Sequence, residues 1–278
     1  MMKKTILFGA VAAALVFSAP ARAAEGGHDD IPHRESWSFA GPFGTYDPAQ
    51  LQRGFKVFRE VCASCHSAHF LYFRNLAQEG GPGFSEGQAK AVASEYQITD
   101  GPNDQGEMFQ RPGRLSDPWP SPFPNDPAAR VANGGALPPD LSVIAKARGS
   151  HVGFPGFITD AFTQYQEGGV DYIHALLNGY VDPPEGVKVQ SGLHYNKYFP
   201  GKQIAMPKPL SDGQVEYTDG SPATVDQYSR DVSAFLMWAA EPHLDARKRM
   251  GFQVFVFLFV LAGLLYFTKK KVWKNVAH

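Results

Sequence analysis

The chain holds two cysteines, and both fall in one five-residue segment, Cys62-Ala63-Ser64-Cys65-His66. Cys-x-x-Cys-His is the attachment pattern of a c-type haem. On a helix, positions i, i+3 and i+4 share a face. The two thiols can therefore each add to one haem vinyl group, while the imidazole of His66 faces the iron from the same side. Covalent attachment keeps the cofactor in place while a partly exposed site exchanges electrons. Two other chemistries use fragments of this pattern. A thioredoxin-like dithiol needs a redox βαβ context, which the sequence does not offer. A zinc site needs further ligands, and no second cysteine pair exists. With every cysteine in the motif, a disulfide framework is excluded as the main source of stability.

A second axial ligand has to come from elsewhere. His69 follows His66 by three residues, emerges on the same side of the ring, and is a poor candidate. Met108 and Met206 both stand in loop-rich stretches, Met237 sits inside an amphipathic helix, and Met250 opens an apolar run. Met206 lies in Ile204-Ala205-Met206-Pro207-Lys208-Pro209-Leu210, whose prolines stiffen the loop. It is favoured on that ground, with Met108 as the alternative. His/Met ligation raises the reduction potential relative to bis-imidazole and leaves no open iron position, which points to electron transfer rather than substrate chemistry.

The elements that must position these residues are mainly helical. Asp47 can cap a helix over Ala49 to Cys65 with Pro48 at its first position, and Leu51, Phe55, Phe58 and Val61 or Cys62 recur at helical spacing. Shorter helices are expected over Phe70 to Ala77, Phe84 to Tyr96, Leu141 to Arg148 and Gly169 to Tyr180. Residues 99–139 are dominated by Gly, Pro, Asn and Asp and read as one long loop, a length usually tied to function. Residues 181–222 read as loop with short extended pieces. Val225 to Ala240 forms a helix capped by Thr224 and stopped at Glu241-Pro242.

The ends supply an address. Residues 1–23 combine Lys3 and Lys4, an apolar run from Ile6 to Phe17 and the small-x-small signal Ala21-Arg22-Ala23, which together read as a cleaved secretory signal. Gly251 to Phe267 is apolar except for Gln253 and is flanked by Arg247 to Arg249 and by Lys269 to Lys271. About 20 helical residues cross roughly 30 Å of hydrocarbon, so this stretch can span a membrane, with Tyr266 and Trp273 at the second interface. Export of the N-terminal side then leaves the C-terminus in the cytoplasm. The expected division is signal 1–23, exported domain 24–246, anchor 247–268 and tail 269–278. The segment 24–246 carries all 27 acids against 16 bases, a net charge of −11. Such a domain repels nucleic acid and can steer a basic protein partner.

Further residues carry a family resemblance over nearly the whole exported chain. They include Arg53-Gly54 before the haem motif, Asn133-Gly134-Gly135-Ala136-Leu137-Pro138-Pro139-Asp140-Leu141-Ser142, and Gly168-Gly169-Val170-Asp171-Tyr172-Ile173. Tyr195-Asn196-x-Tyr198-Phe199-Pro200-Gly201, Met206-Pro207-x-Pro209-Leu210 and Phe235-Leu236-x-Trp238-Ala239-x-Glu241-Pro242 complete the series. In this order the chain resembles the cytochrome c1 family, the haem subunit of ubiquinol–cytochrome c reductase. The resemblance implies a mostly α, cytochrome c-like haem domain with long loop insertions and one C-terminal transmembrane helix, in the bacterial inner membrane with its haem domain in the periplasm. It implies one haem c bound by Cys62, Cys65, His66 and Met206. Pro138 and Pro139 would lie beside the ring, and Arg148 and Tyr172 at its propionates. It also implies electron transfer from a Rieske iron–sulfur protein to a soluble cytochrome c, beside cytochrome b in a dimeric, lipid-embedded complex. The chain would then serve an oxidoreductase without being catalytic alone. A periplasmic haem enzyme with an open iron site is the alternative. One departure stands out: several bacterial relatives carry a cysteine pair before the methionine ligand, and residues 180–205 here contain none.

Overall fold

The computed structural model describes residues 31–149, 156–163 and 165–275. The segment read as a secretory signal lies outside them. Eight α-helices are described: α1 Pro48–Glu60, α2 Glu86–Ser94, α3 Asp126–Ala132, α4 Ile144–Ala147, α5 Gly156–Thr163, α6 Gly168–Asn178, α7 Val225–Ala240 and α8 Leu244–Val272. Strands are few and short. β1 Gln97–Asp100 pairs antiparallel with β2 Phe109–Pro112, and β3 His194–Tyr195 with β4 Gln203–Ile204.

The core forms where α1 crosses α7. Asp47 accepts a hydrogen bond from the Ala49 amide at 2.9 Å and Pro48 opens the helix, so α1 starts where its cap dictates. Thr224 caps α7 through the Gln227 amide at 3.3 Å. The crossing is close because α1 offers Gly54: a Cβ there would lie 2.1 Å from the Asp231 carbonyl oxygen. Beside that contact Arg53 grips Asp231, whose side chain is fully buried, with Nε–Oδ2 at 2.9 Å and Nη2–Oδ1 at 3.2 Å, and reaches Asp219 at 2.8 Å. Phe55, Phe58, Phe73, Trp119 and Phe235 fill the space around the crossing, with neighbouring ring centroids 5.2–5.7 Å apart. Offset and edge-on aromatic pairs of this kind stabilise a core beyond their area.

α4 and α6 pack against α7 and against each other. Gly169 lets them meet, since a Cβ on it would fall 1.8 Å from the Ala145 carbonyl oxygen. The N-terminal arm straps α6: Asp171 accepts from the Trp37 indole at 2.8 Å, from the Glu35 amide at 3.0 Å and from the Tyr165 hydroxyl. The arm also ties to α8, where Lys248 bonds the carbonyls of Phe39 and Gly44.

α8 is long and apolar enough to cross a membrane, and none of its most apolar window is buried within the molecule. Its length and composition suit a membrane anchor. Two sequence expectations need correction. The helix expected through Cys65 ends at Glu60, and Cys62–Ser64 form a 3-10 turn instead. Residues 99–139 are not one loop: they hold the end of β1, all of β2, and α3 capped by Asn125. The ladder is held largely by Arg111, which bonds Asp100 across it and Asp117 beyond it.

Candidate haem site

The turn after α1 sets the geometry of the motif. The amides of Cys65 and His66 both donate to the Cys62 carbonyl, at 3.2 and 2.9 Å. In a 3-10 turn, side chains three apart eclipse, so the Cys-x-x-Cys spacing places both thiols on one side. They are not bonded to each other; Cys62 is partly buried and Cys65 exposed. Burial pushes the Cys62 thiol up to about 12.

His66 is oriented by a residue far along the chain. Its Nδ1 lies 2.8 Å from the Pro139 carbonyl oxygen. A carbonyl can only accept, so Nδ1 carries the proton and Nε2 keeps its lone pair free. Burial lowers the His66 pKa, which favours the neutral ring that a metal ion requires. Pro138, one residue earlier, is partly buried.

Asp140 clamps the two segments that meet here. Its Oδ2 accepts from the Ser67 hydroxyl and the His69 amide, each at 2.9 Å, and from His69 Nδ1 at 2.6 Å. Its Oδ1 accepts from the Ser142 amide at 2.8 Å. The Leu141 amide adds a bond to the Ser67 carbonyl at 2.8 Å, and the Ser142 hydroxyl accepts from the Phe70 amide at 2.9 Å. His69 is thereby engaged with a carboxylate.

Met206 is partly buried against the same hydrophobic core that Val61, Cys62 and Ala63 flank. Met108, by contrast, is 60% exposed just before β2. The Tyr180 hydroxyl donates to the Met206 carbonyl at 3.0 Å. Arg148 caps the end of α4 and is exposed. Burial raises the pKa of the Tyr172 phenol, and the Arg148 charge partly offsets that rise. Tyr172 in turn acts on Tyr180. Among these residues the Tyr180–Met206 bond is the direct contact.

These residues fit a c-type haem: two unpaired thiols on one side of a turn, a neutral imidazole with a free Nε2, and a thioether on the same core. Sequence reasoning missed Asp140, Tyr180 and Asn196 as contributors. Asp140 and Asn196 were legible only as parts of motifs, and nothing local marks Tyr180.

Comparison with known proteins identifies the family. The model of the Cytochrome C1 family matches residues 37–276. A protein named cytochrome b/c1 from Bradyrhizobium diazoefficiens is 64% identical over 92% of this chain, which spans only 37% of that longer protein. Cytochrome c1 of Blastochloris viridis is 54% identical over 98% of the chain and 94% of its own length. A mitochondrial cytochrome c1 heme protein of Solanum tuberosum is 47% identical, covering 93% and 92% of the two chains. On the breadth of these matches, the chain belongs to the cytochrome c1 family.

Proposed function

We propose that this chain carries one haem c joined through thioethers to Cys62 and Cys65, with His66 and Met206 as axial ligands. Pro138 and Pro139 would lie beside the ring, with Arg148 and Tyr172 at its propionates. Membership of the family makes the chain a haem electron-transfer subunit of the cytochrome bc1 complex. The bound haem supplies a one-electron couple. The finer reading is that the electron arrives from a Rieske iron–sulfur protein and leaves to a soluble cytochrome c. Cytochrome b is the membrane partner in a dimeric complex; the relative named cytochrome b/c1 supports that pairing. The haem domain, 24–246, faces the periplasm of a bacterial inner membrane after removal of residues 1–23. The anchor, 247–268, leaves the tail 269–278 in the cytoplasm.

The observation that supports this most directly is the His66–Pro139 bond. It fixes the ring's tautomer and aim. The remaining work of the protein is positional. Pro139 holds the imidazole, Asp140 holds Pro139 in register with the motif, and the 3-10 turn aligns the thiols. The Arg148 guanidinium offers a planar donor pair suited to a carboxylate.

The test has two parts. Haem staining of a denaturing gel must mark this chain in the wild type and lose the mark in Cys62→Ser/Cys65→Ser. In the native complex, the reduced wild type should not bind carbon monoxide, whereas Met206→Leu should bind it and show a lower midpoint potential. Carbon monoxide binding by the wild type would favour an open-iron haem enzyme. An unchanged potential in Met206→Leu would shift the ligand to Met108.

A further inference from the structure

The segment from Gly179 to Ala205 joins α6 to Met206 with only the two-residue strands β3 and β4 and no cysteine. Much of it is exposed, with residues 181–188 all open to solvent. Such a stretch by itself would hold a methionine poorly, because each freely moving residue must surrender backbone entropy to become fixed. Two side chains gather it onto the end of α6.

Asn196 is the first. It is fully buried although polar. Its Nδ2 donates to the Leu176 carbonyl on α6 at 2.8 Å. Its Oδ1 accepts from the amides of Tyr198 at 3.0 Å and Phe199 at 3.3 Å. Its own amide donates to the Lys202 carbonyl at 2.9 Å, and the next amide, Lys197, reaches back to the Gly179 carbonyl at 3.0 Å. Asn196 therefore satisfies its side-chain amide in both directions and pins the turn 196–202 to α6. Tyr180 is the second. It pairs with Asn196 as a backbone bridge, and its hydroxyl continues to the Met206 carbonyl.

We infer that Tyr180, seated on the Asn196 hub, is a positioning residue for Met206, and that this pair locks the ligand loop without a disulfide. The inference rests on Met206 being the axial ligand. The carbonyl that Tyr180 holds belongs to the ligand residue itself, so loss of the hydroxyl loosens the thioether at its root. Loss of the ring's packing is not required.

The test uses Tyr180→Phe in the intact complex, which keeps the ring and removes only the donor. Met206→Leu serves as the control for ligation. Two signals of the c-type haem are read: the weak far-red absorption band of methionine-ligated ferric haem, and carbon monoxide binding to the reduced form. Tyr180→Phe should increase the carbon-monoxide-reactive fraction about fivefold, the factor matching loss of one hydrogen bond of ~1 kcal/mol. It should also weaken the far-red band, while the haem stain stays at wild-type level. If Met206→Leu opens the iron and Tyr180→Phe behaves as wild type, the positioning role is wrong and the ligand assignment stands. If Met206→Leu changes neither signal, the ligand assignment itself fails. Hydrogen exchange on the unmodified complex gives an arm that needs no variant. The amides of Asn196 and Lys197 should exchange as slowly as those of α6; exchange as fast as that of residues 186–192 overturns the lock.

Discussion

Asp140 is the residue at which the fold and the haem site can be disturbed together by one atom. In Asp140→Asn the amide oxygen can replace Oδ2 and keep the bonds from Ser67 and both His69 donors, but the new NH2 group then faces the Ser142 amide, donor against donor. A hydrogen bond to a charged acceptor contributes about 1.5–3 kcal/mol, and the three retained bonds weaken when the acceptor is neutral. The side chain is 32% exposed, so water replaces part of what is lost and the lower end applies, about 1.5–2 kcal/mol. For a domain of this size that is about 3–8 °C in Tm, read from circular dichroism of the haem band on heating. The effect should depend on pH in one direction. Burial works to raise the Asp140 pKa, but the bonds from Ser142 and His69 outweigh it and hold the carboxyl well below the usual carboxylate range. A depressed folded-state value means the stabilisation is complete above the unfolded value of about 3.9 and fades as pH falls through the folded one. The gap between wild type and Asp140→Asn should therefore persist at neutral pH and narrow below about pH 4. A Tm change under about 1 °C, or a gap that stays constant into acid, would refute the clamp.

Arg53→Met leaves the buried Asp231 carboxylate without its main partner and should cost about 3–5 kcal/mol in denaturant unfolding, with Arg53→Met/Asp231→Leu recovering most of it. Equal losses in the single and double variants would sink that account. Gly169→Ala forces α4 and α6 apart and should cost at least about 1–3 kcal/mol, seen as reduced accumulation of stained protein. Turnover with a basic soluble cytochrome should fall as salt rises, because the −11 charge of residues 24–246 steers the encounter and the screening length shrinks from about 10 Å at 0.1 M to about 3 Å at 1 M. Rates that ignore salt would remove steering from the picture.

What could be read from the sequence was what local chemistry determines. α7 begins and ends where Thr224 and Pro242 indicate, and α1 begins where Asp47 and Pro48 do. The end of α1 was not legible, because apolar spacing of three to four residues suits both a helix and the 3-10 turn that replaces it at Cys62. The β1–β2 pair escaped notice because its strands are short and bury no residue fully; Arg111 holds them through partners that only the folded chain brings near. The haem motif was plain because its residues are adjacent. The parts that aim it were not. Pro139 lies 73 residues from His66, and Tyr180 lies 26 from Met206. Long-range hydrogen bonds leave no periodicity to read.

The junction between α7 and α8 carries a mechanical consequence. Glu241 sits there, and it is bound by Lys146 of α4 and by Arg247 of α8, while the Tyr46 hydroxyl donates to its carbonyl. Asp245 and Lys248 hold the N-terminal arm one turn further on. The anchor is thus a mast stepped into the hull rather than a mooring line. Its first turns are built into the domain that carries the motif, and α4, which Glu241 grips, ends at Arg148. Bending at the junction is therefore resisted from both sides, since one carboxylate ties α4 and the first turn of α8 together.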